Sequence, residues 1–216
     1  MGRNASARRA GFAAIAVLGR FKGQTLMEIR LVRHGKPLFW NSYEPHTLLS
    51  GGQVEDALIA YNNSGILPAS RPPKTSLEAA KDAAIAFCSG LRRTVETAAA
   101  LGVRCRLIED PLFAEPVVPY GFWKKTKLPL ALWFAISQTV WSLGYSLNSE
   151  PVARARARAE KAAALLINAA KQNGTVLLVG HSVMNSMIFQ ALQRRKWKAV
   201  RPFDGKFWGC NVLVKI

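Results

Sequence analysis

From Met27 onward, short apolar runs alternate with longer stretches of helical periodicity. "MEIRLVR" (27–33) reads as a strand, as do "AAIAFCS" (83–89) and "VRCRLIE" (103–109), the last alternating in its first half. "TVLLVG" (175–180) is apolar without interruption, which suits a central strand buried on both faces. "CNVLVKI" (210–216) predicts a final strand. Between them, "SGGQVEDALIAYNNSGI" (50–66) predicts a helix with Val54, Leu58 and Tyr61 on one side and a turn at 62–65. A second helix runs from Arg92 to Leu101 and stops at Gly102. Residues 151–172 form a long helix with Pro151 in its first turn and Gly174 at its exit, and 183–195 form another. "ASRPPKTS" (69–76) reads as a loop. Strands separated by helices predict a three-layer α/β/α sandwich with a largely parallel central sheet. The length, 216 residues, suits one domain with a substantial core.

Two segments depart from this rhythm. Residues 1–26 carry Arg3, Arg8, Arg9, Arg20 and Lys22 and no acid, and read as a basic appendage to a domain spanning 27–216. An apolar piece after two arginines resembles the front of a signal peptide, but Arg20 and Lys22 follow at once, and translation from Met27 would open the fold directly. Cytoplasmic location is the expectation, with export or membrane association as the alternatives. Residues 128–149, "LPLALWFAISQTVWSLGYSLNS", carry no charge and follow "KKTK". The length would allow a span, but Pro129, Gln138, Thr139 and the serines favour a buried or lid helix, with a membrane or partner surface second. Peripheral membrane contact is thus expected, if anywhere, through 1–26 or 128–149. Trp133, Phe134 and Trp141 are candidate pocket walls, although aromatics at helical spacing are more often core.

Charge narrows the partner. Thirty Lys and Arg against thirteen Asp and Glu give a net charge of +17. Such a balance favours an anion: a phosphorylated substrate, nucleic acid or an acidic membrane surface. No zinc-finger spacing, RNA-binding sheet motif or glycine-rich phosphate loop is present, so nucleic acid ranks low. Arg154, Arg156 and Arg158, and the "RRKWK" cluster at 194–198, read as solvated basic surface. Three widely spaced cysteines, Cys88, Cys105 and Cys210, make neither a disulfide framework nor a metal cluster.

Chemistry is sought where the strands end, because ligands in such sheets bind beyond the carboxyl ends of the strands. Arg33, His34 and Gly35 follow the first strand; Ser89, Arg92 and Arg93 follow the second; His181 follows "TVLLVG". Of three histidines, two thus stand directly after the two most strand-like runs, and His46 reads as a loop residue. Two histidines and several arginines at strand ends suit a phosphate pocket.

"LVRHG" (31–35), "SGLRRTVETA" (89–98) and "VGHSVMN" (179–185), in that order, resemble the histidine phosphatase superfamily, the branch related to phosphoglycerate mutases. The middle motif fits through Ser89, Leu91, Arg93, Thr97 and Ala98, which selects Arg93 over Arg92 as the phosphate ligand. "DPLFAEP" supplies the expected glutamate as Glu115. The resemblance covers roughly residues 27–216. It implies His34 as nucleophile through a phosphohistidine, Arg33 and Arg93 as phosphate ligands, and His181 as a charged donor to the same oxygens. It implies Glu115 as the acid for the leaving group and then as the base for water, with a pKa raised in a desolvated pocket. Asn41 would contact the phosphate, Gly35 would leave room for it, and Ser89, Ser182 and Asn185 would border the pocket. No metal and no cofactor is implied.

Two departures from the pattern stand out. Lys36 makes the entrance more basic than usual, which would suit a substrate with a second anionic group. Ser182 replaces a frequent glycine and is tolerable if the turn needs no positive φ. Three functions follow in order of preference: hydrolysis of a phosphorylated small molecule, phosphopeptide or phosphoprotein; a phosphomutase, disfavoured by the lack of longer insertions; and a non-catalytic phospholigand- or membrane-binding protein. Oligomeric state is not legible.

Overall fold

The structure, a computed structural model, describes residues 26–215, so the basic appendage lies outside the described residues apart from its last residue. Among the described residues eight strands are formed: β1 (Met27–Arg33), β2 (Leu48–Ser50), β3 (Ile85–Cys88), β4 (Arg106–Glu109), β5 (Lys127–Pro129), β6 (Thr175–Gly180), β7 (Lys198–Ala199) and β8 (Cys210–Lys215). The helices are α1 (Val54–Asn63), α2 (Lys74–Lys81), α3 (Arg92–Ala100), α4 (Leu130–Ser142), α5 (Val152–Asn173) and α6 (Ser182–Arg194).

Six strands make one sheet in the order β4-β3-β6-β1-β8-β7. The first four are mutually parallel, while β8 runs antiparallel to β1 and β7 antiparallel to β8. The predicted largely parallel sheet is therefore present, with an antiparallel edge. Successive side chains of a strand face opposite layers. Ile29, Leu31, Val176 and Leu178 pack with α5 and α6, whereas Val32, Leu177 and Val179 pack with α2 and α3. Central strands buried on both faces explain why the segment after Thr175, "VLLVG", shows no polar position.

The predicted loop at 69–76 is only half a loop. Pro73 caps a helix that begins at Lys74, and Ala79 and Ala80 lie buried against the sheet. The tripled turn signal of Pro72, Pro73 and Ser76 masked a short helix whose reason is tertiary: a small apolar stripe to cover Val212 and Trp208.

Residues 128–149 resolve into strand β5, helix α4 and a turn. Strand β5 pairs with β2 in a separate two-stranded sheet. Helix α4 has 13 residues, and no helix among the described residues is long and apolar enough to cross a membrane. Together with α1, the β2–β5 pair and the short 3₁₀ turn Leu38–Asn41, it forms a third apolar cluster around Phe39, Leu49, Val54, Leu130 and Trp133. This cap sits over the strand ends, and it supplies one wall of the cavity described below.

Register brings the chemistry together. Arg33 pairs with Gly180, and Cys88 with Val179, so β1, β3 and β6 end side by side. The His34 amide N–H continues the ladder by donating to the Gly180 carbonyl at 3.0 Å. His34, Ser89 and His181 therefore emerge as neighbours from three segments far apart in sequence.

Candidate active site

His34 is 1% exposed, and its ring lies 5.1 Å from that of His181 in an edge arrangement. Its Nδ1 stands 2.8 Å from the Gly35 carbonyl. A carbonyl can only accept, so Nδ1 carries the proton and the Nε2 lone pair remains open for attack. Burial, then the nearby charge of Arg93, lowers the pKa to about 3. At neutral pH the imidazole is uncharged, as a nucleophile requires.

Two arginines flank it. Arg93 is fully buried, and its Nη1 donates to the carbonyls of Tyr61 and Asn62, both at 3.2 Å, while the guanidinium lies 4.6 Å from the Tyr61 ring centroid. Arg33 donates from Nη1 to the Gly205 carbonyl at 2.6 Å and stacks over Phe207 at 4.1 Å. These contacts leave Arg33 Nε and Arg93 Nε and Nη2 buried without a partner, and His181 Nδ1 shares that condition. Buried nitrogens are normally satisfied, since each unmet donor forfeits its hydration. The three arginine donors beside one neutral histidine suit the oxygens of a phosphoryl group, and His181 Nδ1 joins them once that ring takes up a proton.

His181 is held from its other nitrogen. The Thr94 hydroxyl donates to the Leu91 carbonyl at 2.7 Å, which leaves it to accept from Ser89 at 3.1 Å. The Ser89 oxygen then accepts from His181 Nε2 at 2.8 Å. His181 was expected to be charged. Burial first, then His34, Arg93 and Arg33, lower its pKa well below the usual value, so the ring is neutral here. A phosphate dianion against Nδ1 would reverse that balance, because an adjacent anion favours the imidazolium.

Glu115 accepts at both oxygens from the first turn of α6: Val183 N–H at 3.1 Å and Met184 N–H at 3.0 Å. The helix terminus holds the carboxyl at the cavity wall. Desolvation outweighs these donors and the two arginines, so the pKa is raised. The loop carrying Glu115 is tied down by Arg158, read from the sequence as solvated surface. Its Nη1 donates to the carbonyls of Leu112 at 3.0 Å and Ala114 at 2.6 Å, while Nε and Nη2 make a two-point pair with Glu150. Arg158→Ala is expected to lower kcat about ten- to a hundred-fold by letting Glu115 drift. Arg158→Lys should recover little, lacking the fork. A pH–rate profile that moves with the substitution distinguishes this positioning role from a loss of folded protein.

The other predicted site residues separate cleanly. Gly35 is buried, and a Cβ there would collide with the Trp208 ring, so its smallness serves that packing. Lys36 is exposed and outside the cavity lining, with its amide bonded to Ser70 Oγ at 3.1 Å. Asn41 is exposed at the end of the 3₁₀ turn and does not line the cavity, whereas its neighbour Trp40 does. Ser182 lines the cavity and has no positive φ, so serine in place of glycine is unstrained. Asn185 is buried behind the site and donates from Nδ2 to the Val32 carbonyl at 3.2 Å, tying α6 to the end of β1. His46 is exposed and pairs with Glu44. Trp133 and Trp141 are core residues whose indole N–H groups donate to the carbonyls of Leu49 and Glu150; Phe134 alone of the three lines the cavity.

The cavity has a volume of about 450 Å³ and is lined by Arg33, Arg93, Glu115 and Ser182, whereas His34 and His181, each 1% exposed, lie behind this lining. Tyr61 and Asn62 line it too; the sequence places Tyr61 on one side of its helix with Val54 and Leu58 and assigns it no part in the site. The signal was present: helix α1 turns one face to both the core and the cavity. Among the described residues no group of three or more His, Cys, Asp or Glu could hold a metal ion.

Comparison with known proteins bears on the family and the fold. A family model described as the histidine phosphatase superfamily (branch 1) matches residues 29–214. A phosphoglycerate mutase from Bacillus anthracis strain Sterne superposes with a TM-score of 0.58 at 17% identity, covering 88% of each chain. A mycobacterial glucosyl-3-phosphoglycerate phosphatase gives 0.57 at 17% identity, covering 88% of this chain and 90% of that one. An open reading frame product of Mycobacterium tuberculosis gives 0.56 at 19%, with 86% and 90% covered. At such identities the likeness concerns the fold. No curated protein matches the sequence.

Proposed function

Because the chain belongs to branch 1 of the histidine phosphatase superfamily, we propose that it hydrolyses phosphate monoesters of small molecules through a phosphohistidine on His34. The observation that carries this reading is the neutral, Nε2-open His34 set among four buried nitrogens without partners.

The steps follow from the side chains. His34 Nε2 donates its lone pair to phosphorus as the ester P–O bond breaks. Arg33, Arg93 and His181 supply hydrogen bonds to the three non-bridging oxygens, where charge collects during phosphoryl transfer. Glu115 gives its proton to the departing alkoxide, which leaves as an alcohol. A water then attacks the phosphohistidine, loses its proton to the Glu115 carboxylate, and releases inorganic phosphate with His34 restored. The Nδ1–H bond to Gly35 holds the ring in the attacking tautomer throughout.

A mutase shares the first step and differs in the acceptor. It would have to hold a second phosphorylated or carboxylated group, and among the described residues this cavity is lined by no cation besides Arg33 and Arg93, while Arg156 and Arg194 line a neighbouring cavity that shares Gln138, Ser182 and Val183 with it. Hydrolysis is therefore the preferred reading. Incubation with a panel of phosphate esters should release inorganic phosphate and alcohol in equal amounts. Isomerised 3-phosphoglycerate formed without inorganic phosphate would establish the mutase instead.

A further inference from the structure

The walls of the cavity bear on the organic part of the substrate. Four charged side chains line it: Arg33, Arg93, Glu115 and Glu55. The first three stand at the phosphoryl end. Most of the rest is apolar, through Trp40, Leu58, Ile59, Val117, Val118 and Phe134. Pockets of this kind bind by apolar burial and use few polar groups for orientation.

Glu55 is the exception. It lies in the first turn of α1, six residues before Tyr61, whose carbonyl accepts from Arg93. Six residues of helix rise about 9 Å, so its carboxylate stands well away from the phosphate clamp on the same helix. The Tyr120 hydroxyl, also on the cavity wall, lies 3.5 Å from Glu55 Oε1. A negative charge at this height opposes any second anionic group on a substrate whose phosphate sits between the arginines. Lys36, expected to welcome such a group, is not in the cavity.

Resting on the hydrolysis reading above, we propose that the substrate is a phosphate monoester with an apolar organic part and no second anion, and that Glu55 rejects the second anion. This excludes phosphorylated sugar acids and bisphosphates as preferred substrates. A carboxylate in a first helical turn also favours the helix itself. The test must therefore read selectivity and not stability.

The experiment compares kcat/KM for 1-naphthyl phosphate and 3-phosphoglycerate in the unmodified protein and in Glu55→Lys. The unmodified protein should favour 1-naphthyl phosphate by about a hundredfold, the order expected for apolar fit plus an unpaired charge. Glu55→Lys should narrow that ratio about tenfold, less so at high salt. Equal kcat/KM for the two esters, or a ratio unmoved by Glu55→Lys, overturns the proposal. Calorimetric affinities for benzylphosphonate and phosphonoacetate read the same selectivity without turnover. A strong preference for benzylphosphonate that is narrowed by Glu55→Lys, with neither ester hydrolysed, would uphold this inference while rejecting hydrolysis; equal affinities would overturn the inference itself.

Discussion

Replacing His34 with alanine is expected to cut turnover of phosphate monoesters to background, a loss of at least about 10⁴-fold in kcat. The substitution removes the atom that forms the bond to phosphorus. It leaves Arg33, Arg93, His181 and Glu115 in place, because none of them is hydrogen-bonded to the His34 ring. Phosphate binding should therefore survive, measured by calorimetry with inorganic phosphate. Rapid acid-free quenching after addition of ³²P-labelled ester should trap labelled protein with unmodified His34 and none with His34→Ala. Retention of activity within tenfold, or equal labelling of both proteins, would remove His34 from the mechanism. The pH dependence adds a further check. With a pKa of about 3, His34 stays neutral through mild acid, so it contributes no acid limb to the activity between pH 5 and 7.

Glu115→Gln should lower kcat by about 10²–10⁴-fold for an alkyl phosphate, the usual worth of a positioned acid. The loss should shrink for 4-nitrophenyl phosphate, whose leaving group needs little help from a proton. That contrast separates an acid from a residue that only shapes the pocket. The sign of the pH effect follows from the raised pKa. The acid form is present below it, so the rate should fall as pH rises through it, and Glu115→Gln should abolish this alkaline limb. Glutamine also places one N–H₂ group opposite the amide of Val183 or Met184, where the carboxylate accepts. A modest drop in melting temperature is therefore expected as well, at the cost of about one hydrogen bond. Equal losses for the alkyl and aryl esters, with the alkaline limb intact, would show that the proton comes from elsewhere.

Most of the fold was legible because its signals are local. After Thr175, "VLLVG" has no polar residue since both faces of β6 are covered, and the strand ends where its glycine meets His181. The long helix 152–173 was bounded by Pro151 and Gly174, whose backbone preferences act on their own neighbours. The two-proline loop was misread for the opposite reason: α2 is only 8 residues long, and its stability comes from Ala79 and Ala80 meeting the sheet. Among site residues, His34, Arg33, Arg93, Ser89, Glu115 and His181 were named by motif, and the fold sets them at the parallel strand ends, in the first turn of α3 and, for Glu115, against the first turn of α6. Arg158 was missed because its partners, Leu112, Ala114 and Glu150, are joined to it only by the fold. Lys36 and Asn41 show the converse. Adjacency to a motif in sequence does not place a side chain in a cavity, since the strand end turns into a loop that carries both into solvent.

The sequence by itself determined the layered architecture and the candidate reacting groups, because periodicity and strand-end motifs are encoded over a few residues. Only the tertiary structure decided their electrical state and their surroundings. Burial makes both histidines neutral, the Gly35 carbonyl fixes the tautomer of His34, and the cap of α1 and α4 turns an apolar wall toward the cavity, with the exposed carboxylate of Glu55 on its lining. Desolvation and proximity are properties of the assembled molecule, and no single segment carries them.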